Sequence, residues 1–97
     1  MITSKQRAYL RGLANSLDPI FQLGKGGINE NFIRQIDEAL EKRELIKVHI
    51  LETALLETKI TCSKIAEQVG AEPVQAIGSK FVLYRESEDH KTIDLPK

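Results

Sequence analysis

A short glycine-rich stretch, Gly24-Lys25-Gly26-Gly27, has the residue types and spacing best suited to binding a charged ligand. Glycine lets the backbone adopt positive φ and lets another molecule approach it closely. Asn29 follows at a position that favours a helix cap, and the first turn of a helix offers unpaired N–H groups and the positive end of its dipole. A phosphate would be stabilised there, and Lys25 would add a full charge beside it.

The loop differs from the two most familiar phosphate-binding motifs. Neither the G-x-x-x-x-G-K-[ST] spacing nor the G-x-G-x-x-G fingerprint is present. The loop has the short G-x-x-G form that clamps a nucleic-acid backbone in KH-type domains. A purely structural interpretation stays open at this point, because any connection from a strand to a helix needs a tight turn and glycine supplies one.

Positive charge is concentrated around this loop. The 97-residue chain has no net charge, but the segment up to Gly27 contains four cations and one anion, so it carries +3 and the remainder carries −3. Three of these cations, Lys5, Arg7 and Arg11, belong to the first predicted helix. A local field of this kind can attract a polyanion without a high overall pI, although an ordinary solvated helix face has the same composition.

Hydrophobic periodicity predicts the elements that position the loop. Helices are predicted from Thr3 or Ser4 to before Pro19, from about Asn29 to Glu44, and from about Thr58 to Gly70. Thr3 and Gln6 have the spacing of a capping box at the start of the first helix. Strands are predicted over residues 20–23, 45–51, 74–77 and 81–85, the last two joined as a hairpin.

The order αβαβαββ predicts the α/β class, with a four-stranded mixed sheet packed with three helices in a single domain over residues 1–97. Strands one and two are expected to be parallel or near neighbours, because a helix joins them. The core is expected over about residues 3–85, and residues 86–97 are expected to form a loosely ordered polar tail.

Composition and the remaining polar residues exclude several function classes. The chain is 41% hydrophobic and 29% charged and contains no apolar run of about 18 residues, so we expect a cytoplasmic protein without a membrane partner. His49 alternates with apolar residues in the second strand and is predicted to be polar surface, whereas Cys62 is predicted to be a packing residue. No metal cluster, paired carboxylates or nucleophile with its base is visible, so we expect no enzyme, no cofactor and no small-molecule substrate.

Several stretches together resemble the CRM domain family (chloroplast RNA splicing and ribosome maturation) in its free-standing bacterial, YhbY-like form. The matching pieces are Ser4-Lys5-Gln6-Arg7, Leu10-Arg11-Gly12-Leu13-Ala14, Leu23-Gly24-Lys25-Gly26-Gly27, Glu44-Leu45-Ile46-Lys47-Val48, Ile77-Gly78 and Val82-Leu83-Tyr84-Arg85. The resemblance implies an RNA-binding domain with the fold of the C-terminal domain of translation initiation factor three. It further implies a role in maturation of the large ribosomal subunit.

The expected partner is therefore RNA, in particular ribosomal RNA or a precursor of the large subunit. The residues expected to contact it are Gly24, Lys25, Gly26, Gly27, Lys5, Arg7, Arg11, Lys47 and Arg85. Aromatic residues make up only 5% of the chain, so recognition of RNA shape is favoured over stacking on bases. The alternative function is a protein-interaction module that docks on ribosomal proteins through the acidic second helix.

Overall fold

The structure, a computed structural model, describes residues 2–97 and contains the three predicted helices. They are α1 (Ser4–Ala14), α2 (Glu30–Arg43) and α3 (Thr58–Val69). The predicted capping box of α1 is confirmed, because the Thr3 hydroxyl accepts the N–H of Gln6 and the Gln6 side chain accepts the N–H of Thr3. At α2, the Asn29 side chain accepts the N–H of Phe32 at 2.8 Å, which fixes the point at which this helix begins.

Four strands form one mixed sheet in the order β1-β2-β4-β3, which confirms the predicted fold class. They are β1 (Phe21–Leu23), β2 (Leu45–Ile50), β3 (Glu72–Ile77) and β4 (Lys80–Tyr84). Strands β1 and β2 are parallel, and β4 runs antiparallel to both β2 and β3. The predicted third strand begins two residues early, at Glu72, because a proline is tolerated on an edge strand, and the register shifts between Pro73 and Gln75.

The sheet separates two hydrophobic clusters. On one face Ile46, Val48 and Ile50 of β2 pack in the larger cluster, with residues of α2 and α3. On the other face Leu45 of β2 packs with Leu10 of α1 and with residues of β3 and β4. Since side chains alternate along a strand, Lys47 and His49 lie on the α1 face of the sheet.

The expectation of a loosely ordered tail over residues 86–97 is wrong. Ile93 and Leu95 pack against the α1 cluster, so the packed core extends past residue 85. The carboxylate of Glu44, itself fully buried, accepts the N–H groups of Ser87 at 2.8 Å and Ile93 at 2.8 Å. The tail is held because a buried carboxylate needs several donors, and the backbone of this segment supplies them.

Candidate functional site

The glycine loop forms a tight turn between β1 and α2. The N–H of Gly27 donates to the carbonyl of Gly24 at 2.9 Å, and Lys25 and Gly26 occupy the two central positions of the turn. Gly27 has φ of 66°, a conformation that favours glycine. Lys25 is exposed at the tip, so its ammonium group is free to meet a ligand approaching from outside.

The glycines of the loop differ in what the fold requires of them. Gly27 is required by its positive φ. Gly26 has no such requirement, and a Cβ atom placed on it would meet only the Asn29 side-chain nitrogen, at 3.9 Å. A Cβ atom on Gly24 would lie 3.4 Å from Leu51 Cδ1, which is an ordinary van der Waals contact. The folded chain has room for side chains at Gly24 and Gly26, yet presents bare backbone there.

The first turn of α2 opens beside the loop. The Asn29 side chain accepts the N–H of Phe32. The N–H groups of Glu30 and Asn31, at the first two positions of the helix, have no carbonyl of the helix to donate to. The carboxylate of Glu30 lies in this same turn and partly offsets the positive end of the helix dipole. A shallow depression of ≈ 190 Å³ connects these groups with the loop. It is lined by Gln22, Leu23, Gly24, Gly26, Gly27, Asn29, Asn31, Phe32 and Gln35.

Two further connections lie at the same end of the strands as the glycine loop. The segment after β2 is tied to the end of β1, because the N–H of Leu51 donates to the carbonyl of Leu23 at 2.9 Å. The turn of the β3–β4 hairpin lies beyond it, where the N–H of Ile50 donates to the Ser79 carbonyl at 2.7 Å. His49 contributes to the wall of the groove between these two connections, which has a volume of ≈ 660 Å³.

The predicted cations of α1 lie on two flanks of that helix. Lys5 donates to the Lys97 carbonyl at 3.3 Å, on the flank that the C-terminal tail covers. Arg7 donates through Nε to the Pro73 carbonyl at 3.1 Å, and Arg11 lies one turn further along, on the same side as Arg7. Arg7 is therefore held at the start of β3, with Arg11 on the same flank of α1, whereas Lys5 lies on the flank that the tail covers.

Arg85 makes hydrogen bonds within the fold that the sequence did not indicate. Its guanidinium group donates to the Asp37 carboxylate at 2.6 Å, to the Asp37 carbonyl at 2.9 Å and to the Val69 carbonyl at 2.7 Å. Asp37 lies eight residues after Asn29, about 12 Å along α2 at 1.5 Å per residue. The expectation that Arg85 extends the surface around the loop is corrected, because its donors join α2, α3 and β4 instead.

Lys80 was missed by reasoning from the sequence. It is exposed at the start of β4 and pairs in register with His49 on β2. The hairpin signal at residues 78–80 indicated a turn, but only the register of the two strands places the Lys80 side chain on the same face as Lys47 and His49. A tertiary relationship of this kind leaves no local signal in the sequence.

The remaining reactive groups have surroundings that favour structural roles. Cys62 is buried in the larger cluster, and burial raises the pKa of its thiol to about 11, so the reactive thiolate is disfavoured. Within residues 2–97, no three side chains of the His, Cys, Asp and Glu types come together as a metal site requires. Over the same described range, no helix has both the length and the apolar character needed to cross a membrane.

Comparison with known proteins gives a consistent set of matches. Residues 2–85 match the family model described as the CRS1/YhbY (CRM) domain. The chain is 47% identical over 96 residues to the "Probable RNA-binding protein YqeI" of Bacillus subtilis, a match that covers 99% of this chain and 100% of the relative. It is 38% identical over 96 residues to an "RNA-binding protein" of Haemophilus influenzae, covering 99% of this chain and 96% of the relative.

A solved structure also matches over nearly the whole chain. The solution structure of a Staphylococcus aureus protein superimposes with a TM-score of 0.79 at 52% sequence identity, covering 99% of this chain and 100% of that chain. The names of the two relatives describe proteins that bind RNA, and neither name includes an enzymatic activity.

Proposed function

Since this chain belongs to the CRS1/YhbY (CRM) domain family, we propose that it is an RNA-binding protein whose Gly24–Gly27 loop contacts the RNA backbone. The N–H groups of Lys25 and Gly26, together with the Lys25 ammonium group, hold a phosphate, and cations on the α1 face of the sheet extend the contact. Phosphate contacts give affinity and orientation but carry no sequence information. The protein therefore selects its RNA by the shape and path of the backbone more than by base sequence.

The observation that carries this proposal is the bare backbone at Gly24 and Gly26. Neither residue needs glycine for its φ, and each has space for a Cβ atom within the folded chain. The fold would accept a side chain at both positions, so the choice of glycine is explained if another molecule must come close to the backbone there. An RNA phosphate is the ligand that suits exposed amides beside a lysine and a helix N-terminus.

The scarcity of exposed aromatic rings supports recognition by shape. Phe32, Phe81 and Tyr84 are buried, and Phe21 packs edge-on against Phe32 with ring centroids 6.1 Å apart. Tyr9 is exposed to 43% and lies on α1, not on the glycine loop or the strands. Sequence-specific RNA-binding proteins commonly stack unpaired bases on such rings, and this chain offers almost none.

The alternative, a protein-docking surface on the acidic helix α2, finds less support in the structure. Asp37 is engaged by Arg85, and Glu41 accepts the Ser87 hydroxyl at 2.6 Å and the Asp89 N–H at 3.0 Å. Glu44 is buried and bound to the tail. These carboxylates are engaged within the fold, so fewer acceptors of this helix and its C-cap are available to a docking partner than the sequence suggests.

We assign precursors of the large ribosomal subunit as the source of the RNA, as the family resemblance implies. The test is co-sedimentation of the purified protein with precursor and mature large subunits, for the wild type, Gly26→Asp and Glu38→Lys. Glu38 is an exposed residue on α2 and serves as the control. The proposal expects the wild type and Glu38→Lys to travel with the precursor and Gly26→Asp to be lost from it. Binding that survives in Gly26→Asp and fails in Glu38→Lys would instead indicate a protein partner.

A further inference from the structure

One face of the sheet is only partly covered. Leu45, Val82 and Tyr84 of the α1 face pack under α1 and the tail, but the residues nearer the glycine loop do not. The register pairs Gln22 with His49, His49 with Lys80 and Lys80 with Ile77, so their side chains form one line across all four strands. We call this line the open row: Gln22, His49, Lys80 and Ile77.

The open row is accessible and carries no negative charge. Gln22 and Lys80 are exposed, His49 is half-buried, and Ile77 is exposed to 66%. The adjacent line on the same face consists of Lys47, Val82 and Gln75, again without a carboxylate. Among residues 2–97, the ion pairs are made by Arg85, His90 and Lys91, so Lys47 and Lys80 carry charges that no carboxylate neutralises at contact distance.

The ends of the open row give it a direction. Gln22 lies on β1 two residues before Gly24, so the row starts beside the glycine loop. Arg7 and Arg11 lie on the flank of α1 opposite to the one covered by the C-terminal tail, and Arg7 is bonded there to the Pro73 carbonyl of β3. The result is a strip that begins at the loop and crosses the strands to β3, the strand to which Arg7 of α1 is bonded.

The dimensions of the strip select the form of nucleic acid. Neighbouring strands are about 4.8 Å apart, so a row across four strands is about 14 Å long, and the two lines of side chains on one face are about 7 Å apart. Helix α1 packs on the same face of the sheet. A narrow strip that carries Lys47 and Lys80 suits one strand, because a positively charged groove can follow the backbone of a single strand.

We infer that the open row is the path of a single RNA strand leaving the glycine loop. Lys80 and Lys47 contact its phosphates, His49 and Gln22 donate or accept hydrogen bonds along it, and Ile77 offers apolar surface to an unstacked base. This inference rests on the proposed function and goes further by naming the strand form, the path and Lys80 as a contact. Lys25 and Lys80 then mark two separated phosphate positions on one strand.

The test is a salt series of binding to a short fluorescent oligouridylate, comparing the wild type with Lys80→Ala and with Lys64→Ala. Lys64 is an exposed lysine of α3, so Lys64→Ala changes the net charge by the same amount as Lys80→Ala and serves as the control. Removing one phosphate contact on a single strand reduces the slope of log K against log salt by about 0.7. We expect that change in Lys80→Ala and none in Lys64→Ala, and we expect unlabelled oligouridylate to compete better than duplex RNA.

Three outcomes distinguish a failure of this inference from a failure of the proposed function. If Gly26→Asp abolishes binding while Lys80→Ala keeps the wild-type slope, the loop binds RNA but the open row is not its path. If duplex RNA competes as well as the single strand, the single-strand path is also overturned. If neither Gly26→Asp nor Lys80→Ala changes binding, the proposed function itself fails.

Discussion

The N–H of Gly27 donates to the carbonyl of Gly24 at 2.9 Å, and this bond closes the loop on which the proposed RNA contact depends. Gly27 takes the positive φ that lets the chain leave the turn, and Ile28 next to it packs against the larger core cluster. The loop is therefore anchored on both sides, with Lys25 and Gly26 facing outward. The fold needs glycine at Gly27 but not at Gly24 or Gly26.

This division predicts opposite effects for two alanine substitutions. Gly27→Ala places a Cβ at φ of 66° and is expected to lower the free energy of unfolding by about 1 kcal/mol. Gly26→Ala should leave stability unchanged or raise it by about 0.5 kcal/mol, because it restricts the unfolded chain without strain. Gly26→Ala should nevertheless weaken RNA binding, because the new methyl group stands between the backbone and a phosphate. Urea unfolding and fluorescence anisotropy measure the two effects, and unchanged affinity in Gly26→Ala would contradict the assigned role of this glycine.

The cap of α2 is predicted to stabilise the loop region. Asn29→Ala removes the acceptor for the Phe32 N–H, bonded at 2.8 Å, and should cost about 1 kcal/mol. Asn31→Ala is the matched control, because Asn31 is exposed and its side chain makes no hydrogen bond within residues 2–97. Thermal or urea unfolding of both variants measures the difference, and equal stabilities would show that the cap contributes nothing.

Stability is predicted to fall in acid because the C-terminal tail depends on ionised carboxylates. Hydrogen bonds from the Ser87 hydroxyl and from the N–H groups of Asp89 and Glu88 lower the pKa of Glu41 to about 2 from 4.5. A lowered pKa in the folded state gives stability that is present above pH 4.5 and is lost as the pH falls towards 2. Glu41→Gln should therefore flatten the pH dependence of unfolding in this window. Glu38→Gln, one turn earlier on α2, should leave it unchanged, and equal pH profiles for the two variants would contradict this role of Glu41.

The buried neighbour Glu44 belongs to the same arrangement. Burial acts to raise the pKa of this carboxyl group, but the N–H groups of Ser87, Thr92 and Ile93 outweigh burial and leave its pKa lowered. Its acid form would lose part of these bonds, so Glu44 adds to the loss of stability at low pH in the same direction as Glu41.

Arg85 is predicted to matter for stability and not for RNA. Arg85→Gln removes the bonds to Asp37 and to the Val69 carbonyl at the end of α3, and should cost about 1 to 2 kcal/mol. The ion pair with the half-exposed Asp37 is expected to contribute the smaller part, because solvent screens it. Arg34→Gln, an exposed arginine of the same helix as Asp37, serves as the control. Weaker RNA binding by a folded Arg85→Gln variant would return Arg85 to the interface.

Local signals in the sequence were sufficient to predict most of the framework. The Thr3–Gln6 capping box, the cap at Asn29 and the alternation through β2 each depend on residues close together in the chain, and all three are confirmed. The order of helices and strands then predicted the α/β class and the parallel pair β1–β2, since a helical crossover joins them.

The features that the sequence did not reveal all depend on distant pairs. Glu44 binds the tail across 43 to 49 residues, so a segment of polar composition gave no sign that it is held. Arg85 reaches Asp37 across 48 residues, and its local sequence is compatible equally with an RNA contact and with a structural one. Lys80 lies on the same face of the sheet as His49 and Lys47, and this follows from the register of the strands alone.

The most direct test of the central claim is RNA affinity over a salt series for Lys25→Asp with Gly26→Asp, against Ser63→Asp with Lys64→Asp. Both double variants change the charge equally, the second on exposed positions of α3. The claim predicts that the loop variant, once shown to be folded, loses affinity and binds with a shallower salt slope, by about 0.7 for each phosphate that the protein no longer neutralises. It also predicts that the α3 variant binds nearly as the wild type does. Equal reductions in affinity for the two variants, or wild-type binding by the loop variant, would contradict it.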